Sequence, residues 1–411
     1  MIQEERLWDH LMSLAKIGAS KDPAEGITRL ALTKEDDDAK ALVAKFMEAA
    51  GLTVREDQVG NLIGQRPGKY PDQPGIMIGS HIDTVFQGGK FDGALGVLAG
   101  VEVAHTLQEE NHQLNRNLEV VAFTDEEGAR FSTGMLGSRA MTGKLEKDLL
   151  EKQDKEGIFY RTAMEEKGYE PEKIHEVKRK KGSIAAYLEL HIEQAVQLER
   201  RKVPVGIVTG IAGPRWHRFT VRGESGHAGS TPMNMRRDPM SASIRLIQEI
   251  EYIVSKRRNT VGTVGQIKAN PGGINIIPKE VIFTLDLRDS IDGERMAAEN
   301  EIKEKATQLE REFGVEIETE LLHNLDPVLC DEQIVDTAEA SAKELGIDSL
   351  RMVSGAAHDA MNMASITSIG MLFIPSYKGL SHRPDEWSDK KDCGKGGKVL
   401  YQTVKNLDRK L

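Results

Sequence analysis

Short apolar runs alternate with amphipathic stretches along the first third of the chain, and that alternation predicts its architecture. Apolar positions three and four apart predict helices over 5–19 and 34–50. The second follows Thr33 at its cap, carries acids in its first turn and ends before Gly51. Strands are expected at 53–56 and 61–65. The run Ile76 to Ile78 reads as a buried strand ending at Gly79-Ser80. A glycine-rich loop follows, then a helix from Leu95 to Gln108. LEVVAF, residues 118–123, is another buried strand, with Thr124-Asp125-Glu126-Glu127-Gly128 at its C-terminal end. Buried strands alternating with helices predict an α/β domain with a mixed, largely parallel sheet flanked by helices.

The pattern changes twice. Over 144–181 more than half of the residues are charged, which predicts a solvated helical cap. From 213 to 323 the order becomes strand (216–222), helix (238–256), strand (261–269), strand (281–288), helix (293–312), strand (315–322). This β-α-β-β-α-β succession is the ferredoxin-like arrangement and predicts an inserted domain. Its first helix is expected to place Met240, Ile244, Ile247 and Val254 on one apolar face. A helix near 331–345, a strand at 370–374 and a helix over 392–408 then return to the earlier style. The expected organisation is therefore a main domain of 1–212 and 324–411, interrupted by 213–323.

Composition narrows the function classes. The 411 residues carry 55 basic and 65 acidic side chains, a net charge of −10, which argues against nucleic acid or an anionic membrane as a partner. Two cysteines, Cys330 and Cys393, make no disulfide framework. Neither a leader pattern nor a membrane-length apolar run is apparent, so the expectation is a reduced, cytoplasmic protein. GSRAMTGK (137–144) only faintly resembles a phosphate-binding loop, because the glycine spacing is wrong and Leu145 stands where a hydroxyl is needed.

Chemistry concentrates around five histidines in small, glycine-flanked contexts: His81, His191, His227, His358 and His382. Gly79-Ser80-His81-Ile82-Asp83 follows a buried strand, and Asp83, two residues on, points the same way as His81 and would orient its ring. Asp92 sits among glycines in GGKFDG, where the backbone folds close to an ion. Asp125, Glu126 and Glu127 crowd the end of a strand and repel one another unless a cation is near. LELHIEQ ends a strand at His191, and GLSHRPDEW places His382 in a loop. Each motif alone has an ordinary explanation: a structural histidine, a helix cap, a solvated acidic turn. Together at the strand ends of one domain they predict a divalent-metal site with oxygen and nitrogen ligands, zinc first, with manganese, cobalt or nickel as alternatives.

The segments GSHIDTV, GGKFDG, TDEEGARF, LELHIEQ, SGHAGSTPM, GGINIIP, DLRD, SGAAHDA and FIPSYKGLSH occur in this order across almost the whole chain. As an ordered set they resemble the dinuclear-metal amidohydrolases that include N-carbamoyl-L-amino acid hydrolases, allantoate amidohydrolases and β-ureidopropionases, with a zinc-exopeptidase-like fold. The resemblance implies that His81, Asp92 and His191 hold one metal, and that Asp92, Glu127 and His382 hold the other, with Asp92 bridging. It implies that Glu126 is the general base and acid, and that Gln194, His227, Asn275 and Arg288 bind substrate, His227 also polarising the carbonyl. It further implies closure of the inserted domain about hinges near Gly210 and Gly213, and a homodimer through that domain. Lys90 is expected to face solvent.

The implied reaction is hydrolysis of an N-carbamoyl-L-amino acid to the free amino acid, carbon dioxide and ammonia. Three alternatives stand beside it: allantoate hydrolysis, a dipeptidase or N-acyl-amino-acid deacylase of the same clan, and an inactive metal-binding protein. The residues alone leave Arg288 as a candidate surface ion pair with Asp286 or Asp289, and Gly226-His227 as a simple turn.

Overall fold

The computed structural model describes residues 1–411, which divide into two compact units. The first comprises 1–209, 330–352 and 358–411; the second comprises 210–329 and 353–357. Segments 210–212, 324–329 and 353–357, expected with the main domain, fall in the second unit.

In the first unit the strands line up as Thr53–Glu56, Leu62–Arg66, Leu118–Phe123, Gly75–His81, Ile184–Ile192, Ser368–Ile374 and Val205–Ile211. Strand 75–81 runs parallel to both of its neighbours, and strand 368–374 runs parallel to 184–192. The outer junctions are antiparallel, so the sheet is mixed. Every residue of 75–81 and of 118–123 is buried, as expected of parallel strands covered on both faces. The helix Ala94–Glu109 closes tightly on the sheet through Gly96, where a Cβ would lie 2.6 Å from the Leu190 carbonyl oxygen. Shared direction brings the C-terminal ends of four strands to one edge. His81 and His191 lie there, with the loops that follow 118–123 and 368–374.

Several expectations need correction. The first helix is shorter, Glu4–Leu14, and turns follow it. Segment 144–181 is not merely a solvated cap. Leu149, Tyr160, Ala163, Met164 and Ile174 form an apolar core with Phe131, Leu136 and Ala140. The charges flank that core, and so composition alone hid it.

The second unit has a sheet ordered Ile267–Asn270, Glu280–Asp289, Gly213–Arg222, Glu316–Asn324, with every pairing antiparallel. The strand expected over 261–269 is split, since Val261–Thr263 pairs with one part of strand 280–289 and Ile267–Asn270 with another. Strand 280–289 alternates buried and half-buried residues, and the helices Pro239–Ser255 and Asp292–Phe313 cover its apolar face. The first of these helices buries Ala242, Leu246, Ile250, Ile253 and Val254. Ile244 instead faces solvent, so the buried face is rotated from the expected one; of the four expected residues only Val254 is buried. Both cysteines are free thiols and buried, and no helix is long and apolar enough to cross a membrane.

Candidate metal centre

The strand 75–81 delivers His81, 184–192 delivers His191, and three loops supply Asp92, the pair Glu126-Glu127, and His382. They converge. His81, Asp92 and His191 place one ligand atom each within 4.8 Å of one another, as do Asp92, Glu127 and His382. Asp92 belongs to both groups and divides its oxygens between them. Its Oδ1 lies 3.1 Å from His191 Nε2 and 3.7 Å from His81 Nε2, whereas its Oδ2 lies 3.3 Å from His382 Nε2. Glu127 approaches His382 Nε2 at 3.4 Å, and Glu126 lies 3.6 Å from His81 Nε2.

The far ring nitrogens are already engaged. His81 Nδ1 donates to the Asp83 carbonyl oxygen at 3.1 Å, and His191 Nδ1 to the Ile192 carbonyl oxygen at 2.9 Å. Engaging Nδ1 in this way turns each Nε2 toward Asp92, the nitrogen through which each ring would ligate a cation. The nearer partner of His81 is therefore the backbone of Asp83. The Asp83 carboxylate stands 3.7 Å from the ring and accepts from the Glu126 and Glu127 backbone N–H groups at 3.2 and 3.1 Å. It shapes the acidic turn directly. Asp125, in that turn, adopts a positive φ of 54°.

Electrostatics points to cation binding. Burial raises the Glu126 carboxyl well above the usual range, and Asp359 and Glu127 push it further. Burial raises Glu127 likewise, with Asp92 and Asp83 adding repulsion. Burial also opposes ionisation of Asp92, but hydrogen bonds from His191 and His382 overcome it and hold that carboxyl well below its ordinary value. Burial disfavours the His191 imidazolium, yet Asp92 outweighs it and brings the ring to about 9. Crowded carboxylates beside inward-facing imidazoles form a donor set suited to divalent zinc or manganese.

Gln194 reaches the same place. Its Nε2 donates to Asp92 Oδ2 at 2.9 Å and to Ser381 Oγ at 3.2 Å, while its own carbonyl oxygen lacks a partner. The remaining sequence candidates lie in the second unit. His227 is exposed, and its Nδ1 accepts from the backbone N–H groups of Gly229 and Ser230 at 3.1 and 3.3 Å, which places the ring proton on Nε2. Asn275 is also exposed; its carbonyl oxygen accepts from the Ala228 N–H at 3.0 Å, which brings it beside His227. Arg288 forms an ion pair with Asp286 at 2.8 Å and donates to the Gly355 carbonyl oxygen at 2.8 Å. Lys90 does not simply face solvent: its ammonium lies 5.3 Å from the centre of the Trp387 ring.

Three buried acids here, Glu189, Asp359 and Glu386, were not among the sequence candidates. Glu189 accepts from Ser80 Oγ at 2.7 Å, and with His191 and His358 forms another cluster able to hold a metal ion. The His358 ring meets His191 edge-on at 4.6 Å. Burial, with Glu189 nearby, raises the Asp359 carboxyl well above its usual range. Glu386 and Ser381 support the Asp92 loop. Only His358, singled out by its glycine-flanked context, directed attention to Asp359 beside it; nothing in local sequence marks Glu386.

The model of peptidase family M20/M25/M40 matches residues 77–406, and the chain belongs to that family. It is 50% identical to an N-carbamoyl-L-amino acid amidohydrolase of Geobacillus stearothermophilus over 407 residues, 99% of each chain. It is 37% identical to an allantoate amidohydrolase of Bacillus subtilis, covering 97% of this chain and 96% of the relative. Among solved structures, an amidase of the hydantoinase/carbamoylase family from Burkholderia multivorans matches with a TM-score of 0.90 at 32% identity, covering 98% of this chain and 97% of that one.

Proposed function

We propose that this protein hydrolyses the carbamoyl C–N bond of N-carbamoyl-L-amino acids, yielding the L-amino acid, carbon dioxide and ammonia, with two divalent metal ions per subunit. The observation that carries the reading is the division of the Asp92 oxygens between two ligand groups, His81 with His191 and Glu127 with His382. The substrate choice draws on the greater likeness to the carbamoyl amino acid hydrolase than to the allantoate hydrolase.

A ureido carbonyl is resonance-stabilised and a poor electrophile. A bound metal pair, zinc by preference and manganese, cobalt or nickel otherwise, supplies Lewis acidity and a more acidic water. Glu126, whose burial raises its proton affinity, takes the proton of the attacking water and passes it to the departing amino nitrogen. The other product, carbamic acid, decomposes to ammonia and carbon dioxide. Asp83 serves by fixing the turn that carries Glu126 and Glu127. Gln194, His227, Asn275 and Arg288 are the proposed substrate-binding residues. His227 presents its Nε2–H as a donor for the carbonyl oxygen. Arg288 would exchange Asp286 for the substrate carboxylate, which its planar fork fits equally well.

We read the second unit as a ferredoxin-like insert and as the interface of a homodimer, to be checked by sedimentation. We place the protein in the cytoplasm, where two buried free thiols stay reduced.

The experiment is a substrate panel on chelated protein reconstituted with zinc, manganese, cobalt or nickel. Ammonia release from N-carbamoyl-L-methionine should exceed that from allantoate. A preference for allantoate would move the assignment within the family, and cleavage of only dipeptides or N-acyl amino acids would overturn it.

A further inference from the structure

We infer that Glu386 is a positioning residue that locks the loop bearing Asp92 to the loop bearing His382 and thereby sets the spacing of one of the two metal positions. The inference rests on the paired-cation reading above.

Asp92 and His382 are 290 residues apart in the chain, and neither lies within a strand or helix. Something must hold their loops in register if both are to face one ion. The Glu386 side chain spans the gap. Its Oε1 accepts from the Phe91 backbone N–H at 2.8 Å and from the Asp92 backbone N–H at 3.1 Å. Its Oε2 lies 3.0 Å from Ser381 Oγ, and Ser381 Oγ lies 2.6 Å from Asp92 Oδ2. One carboxylate therefore grips the backbone of the Asp92 loop and the residue preceding His382.

Two further observations point the same way. A Cβ at Gly89 would fall 2.1 Å from Glu386 Cδ and 2.5 Å from its Cβ, so the glycine of GGKFDG leaves room for this side chain. The flanking residues also pack together: the Phe91 and Trp387 rings meet edge-on at 5.6 Å, and both touch Trp8. The aromatic contact brings the loops together, and the carboxylate sets their register, because hydrogen bonds demand a defined length and direction where apolar packing does not.

Reach, rather than charge, is the property required, and this separates the inference from a simple electrostatic effect. Glu386→Gln keeps an oxygen at the same distance for the two N–H groups. Glu386→Asp keeps the charge but falls one methylene short. The test is stepwise zinc titration of the chelated full-length protein against a chromophoric chelator, with metal content measured after dialysis. Glu386→Gln should hold two ions with affinities within threefold of wild type. Glu386→Asp should weaken one ion at least tenfold and leave the other within threefold. Gly89→Ala, which displaces the clamp without altering it, should weaken the same ion and serves if the Asp variant does not fold. Wild-type binding of both ions by Glu386→Asp, or by folded Gly89→Ala, overturns the clamp alone. Loss in Glu386→Gln with retention in Glu386→Asp would show that charge is what matters and also overturns it. A wild-type protein that holds fewer than two ions overturns the paired-cation reading and the inference with it.

Discussion

Glu126 sits at the meeting point of burial, repulsion and reach. Its carboxylate lies close to His81 Nε2, yet Glu127 and not Glu126 groups with Asp92 and His382. Adjacent side chains diverge, so one of the pair is free to carry protons while the other binds. Glu126→Gln should retain both metal ions by elemental analysis and lose about 10²- to 10⁴-fold in kcat, the usual worth of a positioned acid–base group. Near-normal turnover would exclude it as the proton carrier. Arg288 makes a contrasting case, because its observed partner is Asp286. Arg288→Ala should raise KM at least tenfold for carboxylate-bearing substrates and leave carboxylate-free ureas unchanged; equal losses on both would contradict a role for Arg288 in holding the substrate carboxylate. Gly93 is constrained by space. At φ 65° its added Cβ would lie 2.4 Å from the His81 ring, so Gly93→Ala should displace that ring and cost metal affinity in the same titration.

Among elements, the turn after strand 118–123 depends on neighbours far away in sequence. Asn61 accepts from the Thr124 N–H at 3.0 Å and donates to Asp57 and the Gly137 carbonyl oxygen. Its side chain thus joins the strand end, the helix Leu136–Thr142 and the loop before Leu62–Arg66. It is fully buried, and Asn61→Ala would strand the Thr124 donor and the Gly137 acceptor. The expected loss is about 1–3 kcal/mol in denaturant unfolding of the chelated protein. An unchanged midpoint would show that water replaces the amide. Strand positions here were readable from sequence, because LEVVAF and the run at 76–78 are continuous apolar segments. The helix 239–255 was harder: several apolar faces compete around it, and only the partner sheet selects the one containing Leu246 and Ile250.

For the whole molecule, the cluster makes stability depend on metal and pH together. Asp125, Glu126, Glu127 and Asp359 all have raised folded-state values, chiefly through burial. Unfolded carboxyls titrate near about 4. Above that, the unfolded chain releases protons that the folded chain still holds, so this stabilisation is complete below about pH 4 and is lost as pH rises through the folded values. His191, raised to about 9, acts in the same direction above its unfolded value of about 6.5. Asp92 acts oppositely, but its contribution is lost only as pH falls below the carboxylate range. His358, His10 and His217, lowered chiefly by burial, oppose this up to about pH 6.5, so chelated protein should melt at progressively lower temperature between about pH 7 and 9, and saturating metal should flatten or reverse that slope. Melting that rises with pH after chelation would contradict the reading.

The metal-ligand candidates were legible because their chemistry is written into local motifs: histidines at strand ends, an aspartate among glycines, adjacent acids after a buried strand. Their order along the chain was enough to suggest the family. The supports were not legible. Glu386 is an ordinary acid in GLSHRPDEW, and Glu189 is one polar residue in a buried strand. The Asp83 carboxylate holds the acidic turn, and its backbone carbonyl, at 3.1 Å, is nearer to His81 Nδ1 than the carboxylate at 3.7 Å. Sequence by itself determined which side chains are candidates for the chemistry, since ligand type and strand periodicity are local properties. Only the tertiary structure decided which oxygen of Asp92 faces which histidine and what keeps two distant loops in register, because those depend on contacts between segments hundreds of residues apart.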